Sequence, residues 1–472
     1  MANIQFADLI RASGLSPQDY ISWCEKNSGN NLVLMPEHCN EGAIKILRSL
    51  PFIPSTKLVG RFVHGTDFSK IKVNGDLVLE KDCILIGNID FSETETIRNF
   101  VFSPNNQDQK KINVSIGKIG GDLFLTLENG VQKALFEIWK VDGSAIIKIP
   151  KQSADTIITV DCAGDLDVSG NDTRGLGICD TKVGQDSHLR FSGTGKSKIS
   201  IVNCEFLGVT KFENNGLELQ LECASSKFKD DVAFSRTKFA RTTKFVDCNF
   251  LGEAGNAIDV SFRHCVFSEG AEFYGSKFSR PPDFRGAAFN PSYTVEGLNI
   301  ALRPFHTGAM FPLFYVYPRD TIERVRKLKE IAKSANDHEQ EINFFAMELR
   351  AKRGNETDLF GAVANFLYEV SSGYGYCASR PFYWLLFLFV LFAFVFNRIA
   401  DRPDVWGSMR LSLSNIFTFL PYTREIRSVA LNEMFSSSEY PEIIHWLSVL
   451  ESLLGVVLIF LFGLTLRNRF RM

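Results

Sequence analysis

The pattern of hydrophobic and polar positions divides the chain into a β-rich part and a helical, partly apolar part. From Cys204 to Phe289, phenylalanine recurs in steps that alternate between five and six residues. A smaller side chain (Cys, Thr, Ser, Val or Ala) stands two residues before most of these phenylalanines. A helix would spread such spacing around its whole surface, and a simple strand would repeat every second residue. The pattern therefore predicts a coil that turns a corner after each step and points every phenylalanine inward.

This repeat, as in Ser276-Lys277-Phe278 and Ala287-Ala288-Phe289, resembles the pentapeptide-repeat family. The resemblance implies a right-handed, four-sided β-helix whose coils stack through strand-like hydrogen bonds. The alternation of five and six departs from the plain family pattern and implies slightly larger coils. Residues 201–292 are predicted to form this β-helix. Its predicted core phenylalanines are Phe228, Phe239, Phe245, Phe250, Phe267, Phe278 and Phe289.

Upstream, residues 56–200 contain short β-like runs, such as LVGRFV and DTIITVDC, that alternate with turn residues. We interpret them as irregular coils of the same β-helix, and a separate small β-sandwich is the alternative. Residues 1–55 are predicted to be a helical cap, with Ser16 in SPQD as a helix N-cap. Such a cap would cover the open end of the stack, which every solenoid must protect.

Two apolar segments follow, at residues 381–400 and 446–466. Each is predicted to be a transmembrane helix, with a buried core helix as the alternative. The loop 401–445 is placed outside, and the basic flanks, including the tail 467–472, place both chain ends in the cytoplasm. The predicted membrane-anchoring residues are Trp384, Trp446, Arg467, Arg469 and Arg471.

Between the β-helix and the first apolar segment, residues 321–353 predict a helical hairpin and residues 354–380 an interfacial segment. The pieces RKLKEIA, EINFFAMELRAKR, SSGYGYCASRP and LRNRFRM resemble a recurring extension of bacterial pentapeptide-repeat membrane proteins. The resemblance implies a multi-pass protein of the bacterial inner membrane, and it implies no mechanism. The expected fold is multidomain: a right-handed β-helix of the pentapeptide-repeat type, an α-helical connector and a two-helix transmembrane hairpin.

The outer loop contains a short amphipathic run at residues 409–421. In SLSNIFTFLP and in position, it resembles the pore helix of two-helix channels. A re-entrant pore helix is one interpretation, and an amphipathic helix lying on the outer surface is the other. Because two helices alone cannot hide the acid Glu451, a homo-oligomer is expected, although an interfacial carboxylate reaching water is the alternative. The candidate pore-lining residues are Glu451, Ser448, Ser414, Asn415 and Thr418.

Charge, cysteine spacing and motifs limit the kinds of partner and chemistry that we expect. A formal net charge of −2 gives no argument for nucleic acid as a partner. The ten cysteines show no CxxC pairing, so we interpret them as reduced thiols, with a disulfide or metal framework as the alternative. GTGKS at residues 193–197 lacks the first glycine of a phosphate loop, since Arg190 stands there, and it precedes a predicted strand. We expect no enzyme activity, no cofactor and no metal site.

The sequence thus predicts a non-enzymatic membrane protein. The leading hypothesis is an oligomeric, channel-like or pore-forming module that is controlled by a cytoplasmic β-helix interaction domain. Its expected partners are the lipid bilayer, further copies of the chain and an unknown protein on the β-helix. The alternative is a membrane-tethered scaffold that conducts nothing.

Overall fold

The computed structural model forms two compact units, one within residues 1–303 and one within residues 304–472. The first is a parallel β-solenoid of about ten turns, and the second is helical and contains two long apolar helices. This confirms the expected β-helix followed by a helical region. The residues described are 3–27, 30–62, 67–85, 91–96, 98–103, 111–127, 133–149, 155–171, 173–252, 257–290, 295–302, 317–353, 355–435 and 442–470.

The strands of the first unit belong to one sheet that is wound into the solenoid. They are β1 (Asn3–Ile4), β2 (Asn31–Leu34), β3 (Ile53–Phe62), β4 (Lys72–Leu85), β5 (Phe91–Thr96), β6 (Phe100–Phe102), β7 (Lys111–Ile119), β8 (Leu123–Thr126), β9 (Lys133–Val141), β10 (Ala145–Ile149), β11 (Thr156–Cys162), β12 (Leu166–Asn171), β13 (Gly175–Cys179), β14 (Lys182–Val183), β15 (Ser187–Ser192), β16 (Lys196–Val202), β17 (Glu205–Phe206), β18 (Thr210–Asn215), β19 (Glu218–Ala224), β20 (Lys227–Phe228), β21 (Val232–Ser235), β22 (Lys238–Phe239), β23 (Thr243–Val246), β24 (Asn249–Phe250), β25 (Val260–Ser261), β26 (Val266–Phe267), β27 (Ala271–Glu272), β28 (Lys277–Phe278), β29 (Ala288–Phe289), β30 (Val295–Glu296) and β31 (Asn299–Ile300).

The helices are α1 (Phe6–Ala12), α2 (Pro17–Lys26), α3 (Glu41–Ser49), α4 (Arg319–Ser334), α5 (His338–Arg353), α6 (Leu359–Ser372), α7 (Ser379–Ile399), α8 (Val405–Ile416), α9 (Thr423–Met434) and α10 (Glu442–Phe470). A short 3₁₀ helix spans Pro36–His38. The first three helices belong to the solenoid unit, where the Ser16 hydroxyl accepts a hydrogen bond from the Asp19 N–H at the start of α2. Residues 1–55 also contribute β1 and β2, which pair with each other, and β2 pairs with β3.

Parallel pairing joins each turn of the solenoid to the next. One column of strands runs from β2 through β3, β4, β6, β8, β10, β12, β15, β18 and β21 to β25. The strands of residues 56–200 therefore lie in the same stack as those of the phenylalanine repeat.

A ladder of short polar side chains holds one corner of the irregular coils. At each step a side-chain oxygen accepts a hydrogen bond from the backbone N–H of the next coil, over donor–acceptor distances of 2.8 to 3.2 Å. The ladder consists of Ser55, Asp76, Asn99, Asp122, Ser144, Asp165 and Asp186. These bonds satisfy N–H groups that face a corner rather than a strand partner.

The phenylalanines of the repeat form stacks inside the solenoid. In one stack, Phe212, Phe234, Phe262 and Phe284 follow one another with ring centroids 4.4, 4.7 and 4.9 Å apart. Of the seven predicted core phenylalanines, six are at most 2% exposed. The seventh, Phe289, is half-buried and stacks on Phe267 at 4.5 Å.

In the helical unit, α4 and α5 pack together as a hairpin, and α7, α8 and α10 pack against one another. Both α7 and α10 are long and apolar enough to cross a membrane, by length and composition. The loop between them contains α8 and α9. Helix α8 begins before the amphipathic run at residues 409–421, because the Asp404 carboxylate caps the N–H groups of Trp406 and Gly407.

We expect Phe245→Asp to unfold the middle coils of the solenoid. The Phe245 ring is buried and stacks on Phe273 with centroids 5.1 Å apart. Loss of such a ring costs about 3–5 kcal/mol, and an unpaired buried charge adds to that cost. Circular dichroism melting of the full-length protein measures the effect. The matched control is Val246→Asp, since Val246 is the next residue on β23 and 36% exposed. Equal melting curves for the two variants would contradict the inward assignment.

Candidate functional site

An acid is buried where three helices of the second unit meet. Glu451 lies on α10 and is 0% exposed. Its carboxylate accepts hydrogen bonds from the Ser412 hydroxyl and from Nδ2 of Asn415, the latter at 2.8 Å, both on α8. Asn415 Nδ2 also lies 3.3 Å from Oγ of Ser448 on α10. We call these four residues the Glu451 cluster.

Helical spacing places the Glu451 cluster on facing surfaces. Ser412 and Asn415 are three residues apart on α8, and Ser448 and Glu451 are three residues apart on α10, so each pair shares a helix face. The four residues are at most 1% exposed, and Leu411 and Ile416 next to them on α8 belong to an apolar cluster. Its buried members are Leu388, Phe392, Phe396, Leu411, Ile416, Ala430, Leu431, Met434, Phe435 and Ile444.

The contacts also fix the level of α8 along the apolar helices. The Ser412 hydroxyl lies 3.1 Å from the backbone oxygen of Phe389, the central residue of the uncharged run 381–397. A Cβ built on Gly455 would lie 3.2 Å from Cα of Ile416, and Gly455 is next to the centre of the run 446–466. The C-terminal end of α8 thus contacts the middle of both apolar helices. A side chain at residue 455 would require Ile416 to move by a few tenths of an ångström.

The five candidate pore-lining residues have different surroundings. Glu451, Ser448 and Asn415 come together in the cluster, whereas the buried hydroxyl of Ser414 donates to the Leu411 carbonyl of its own helix. Thr418 is half-buried in the turn after α8. The two apolar helices alone do not enclose Glu451: α8 packs against them as a third helix of the same chain and contacts its carboxylate. The expected homo-oligomer stays a prediction.

Ser412 is the member of the cluster that the sequence interpretation missed. Its spacing of three residues before Asn415 on a predicted amphipathic helix was the available signal. The Oδ1 atom of Asn415 is buried and has no hydrogen-bond partner among the described residues.

A second polar cluster joins the connector to both apolar helices. The Arg353 guanidinium on α5 donates to the carboxylate of Glu369 on α6, to the Tyr374 hydroxyl and to Oδ1 of Asn365. Arg350 Nε donates to the same Glu369 carboxylate at 2.7 Å. Burial raises the pKa of Glu369, but the two arginines outweigh it and hold this pKa below its usual range. Burial raises the pKa of Tyr374 to about 12.

The turn that carries Tyr374 needs unusual backbone geometry. Gly373, Tyr374 and Gly375 all have positive φ angles, of 58°, 59° and 82°. Glycine adopts this region without steric cost, which explains the GYG sequence as a turn. The Gly375 carbonyl accepts a hydrogen bond from Nδ2 of Asn468, at the end of α10, over 3.3 Å. On the α7 side, the Arg380 guanidinium donates to the Glu369 carbonyl at 3.0 Å.

Helix α6 is amphipathic with its apolar side outward. Asn365 and Glu369 face α5 through the contacts above, and the opposite side is exposed. The exposed apolar residues are Leu359, Phe360, Val363 and Leu367. A surface of this kind is typical of a helix that lies in a membrane interface.

The predicted membrane anchors are placed as follows. The Trp384 indole N–H donates to the Val370 carbonyl at 3.3 Å, and Trp446 is 72% exposed. Arg467 lies near the end of α10. Arg471 and the side chain of Arg469 lie outside the described residues.

Comparisons with protein-family models, with curated proteins and with solved structures find no match for this chain. The pentapeptide-repeat type of the solenoid therefore stays a prediction from the sequence. The function is argued below from the geometry of the helical unit.

We expect Asn415→Ala to destabilise the packing of α8 against α10. The change removes one of the two donors to the buried Glu451 carboxylate, which costs about 1–3 kcal/mol. Thermal denaturation of the full-length protein in detergent measures the loss. Ser414→Ala is the matched control, because the Ser414 hydroxyl donates to the Leu411 carbonyl of its own helix. An equal effect of both changes would argue against a specific role for the cluster.

Proposed function

We propose that the protein is an oligomeric, channel-like membrane module whose β-solenoid serves as its interaction domain. The observation that carries this proposal is the level of α8, whose C-terminal end contacts the middle of α7 and of α10. When α7 and α10 span a bilayer, this helix reaches the interior of the membrane rather than its surface.

Helix α9 then has to run back through the same depth. Its end returns to the start of α8, where the Met434 carbonyl accepts a hydrogen bond from the Arg402 N–H at 3.1 Å. Arg424 and Glu425 are exposed on α9, and Arg427 is half-exposed. Charged side chains and irregular backbone inside a membrane require either burial in protein or a water-filled cavity. The α8–α9 hairpin therefore supports a water-filled path shared between subunits.

The arrangement changes which residues would line that path. The Glu451 cluster is enclosed within one chain, so its proposed role is to hold α8 at depth. The path would instead be lined by the charged side of α9 and by the turn between α8 and α9, including Thr418. On this turn, the side chains of Phe419 and Leu420 are 60% and 46% exposed. These two side chains would form the narrowest part of the water-filled path.

The proposed location, membrane topology and role of the solenoid rest on the sequence. We place the protein in a bacterial inner membrane as a multi-pass protein, with both chain ends cytoplasmic and the loop 401–445 outside. The exposed apolar side of α6 would lie in the cytoplasmic membrane interface. The solenoid, taken as a pentapeptide-repeat type, would bind a protein partner.

A membrane-tethered scaffold is the second candidate. It is favoured by Trp139 on β9, whose side chain is 63% exposed on the solenoid. An exposed tryptophan is the kind of anchor on which protein interfaces depend. In this alternative the solenoid would bind its partner and the helical unit would only hold it at the membrane.

Ion flux through purified full-length protein in liposomes tests the proposal. We expect flux from the parent and none from a truncation that ends at Arg353. Removing a charge from α9, with Arg427→Gln, should shift the reversal potential measured under an ion gradient.

The matched control for this charge is Arg398→Gln. Arg398 lies at the end of α7. Its guanidinium carbon is 5.2 Å from the ring centre of Phe394, and the Phe394 side chain is exposed. Its loss should leave the reversal potential unchanged. Absence of flux from the parent under every condition would favour the scaffold, and equal shifts from both arginines would contradict the lining by α9.

A further inference from the structure

A cavity of about 370 Å³ lies between the α4–α5 hairpin and the end of α10. Lys329 and Lys333 line it from α4, one helical turn apart. His338, Glu341, Ile342 and Phe345 line it from α5, and Asn468 lines it from α10. The cavity thus combines cationic and apolar side chains.

The positive charge of this cavity is only partly neutralised. Among the described residues, Lys333 makes no ion pair and is exposed. Lys329 pairs with Glu348, but this carboxylate is shared with Lys352 at 2.8 Å and with Arg326 at 3.3 Å. Burial raises the pKa of Glu348, but hydrogen bonds from the two lysines outweigh it and lower this pKa to about 2. One carboxylate therefore faces three cations.

The acid that lines the cavity, Glu341, contacts a neighbouring histidine. The carboxylate of Glu341 lies 3.3 Å from Nδ1 of His338, at the first residue of α5. The N-terminal end of α5 is capped within the chain, because the Asp337 carboxylate accepts a hydrogen bond from the Gln340 N–H at 3.1 Å. The cationic contacts that the cavity offers to an anion are therefore its two lysines.

The cavity lies at the level where the apolar part of α10 ends. Asn468 follows the apolar run 446–466 directly after Arg467. If α10 spans the membrane as proposed above, this is the depth of lipid headgroups on the cytoplasmic side. Ile342 and Phe345 offer apolar contact beside the charges, as the start of an acyl chain would require.

We propose that this cavity binds the phosphate group of an anionic membrane lipid, with Lys333 and Lys329 as its cationic contacts. A lipid bound there would contact the connector and α10 together. This inference rests on the proposed membrane insertion and not on ion conduction, so it can fail while the channel proposal stands.

The test uses full-length protein purified in detergent and titrated with a short-chain phosphatidylglycerol, with binding followed by native mass spectrometry. We expect saturable binding to the parent and binding about fivefold weaker to Lys333→Gln, as expected for one lost cation near a lipid phosphate. Lys333→Arg should retain binding, because it keeps the charge.

Lys327→Gln is the matched control. Lys327 lies on the same helix, pairs with Glu330 and does not line the cavity. It should bind the lipid like the parent. An equal loss in this control would show a general charge effect and overturn the site. Equal binding of short-chain phosphatidylcholine, or displacement of the lipid by inorganic phosphate at similar concentration, would overturn the assignment to an anionic lipid.

Discussion

The enclosure of the Glu451 carboxylate is the constraint on which the rest of the helical unit depends. A buried carboxyl group is tolerated only when polar groups surround it, and α8 supplies them through Ser412 and Asn415. Outward movement of α8 would leave the acid without these donors. The close approach of Ile416 to Gly455 adds a steric match at the same place. The position of α8 along α7 and α10, and with it the position of the charges on α9, follows from these contacts.

The solenoid is stabilised in a different way, by many similar contacts between neighbouring turns. Stacked phenylalanine rings fill its inside, and a ladder of Asp, Asn and Ser oxygens closes one corner. Ion pairs such as Lys198 with Glu222 and Lys244 with Glu272 connect adjacent turns on the outside. Because each turn contacts mainly its neighbours, stability is spread along the stack.

The parts that could be predicted from sequence are those that repeat. Each turn offers the same inward position, so the same residue type recurs and the period is visible. The corner ladder was missed because Asp, Asn and Ser substitute for one another there. The contact between Ser412 and Glu451 joins residues 39 apart, for which no local pattern exists. The contact between Arg353 and Tyr374 was not predicted for the same reason, although each residue lies in a motif that the sequence analysis quoted.

Depth measurement by spin labelling in liposomes tests the central claim most directly. Labels at V405C, L413C and F419C would occupy exposed positions along α8 and its turn. The background replaces Cys39, Cys179 and Cys377, the three cysteines that are not buried, by serine. Oxygen and a water-soluble nickel chelate then report the depth of each label. We predict depth that increases steadily from residue 405 to residue 419, by up to about 1.5 Å per residue along the helix. A uniform shallow depth at all three positions would contradict the account and place α8 on the membrane surface.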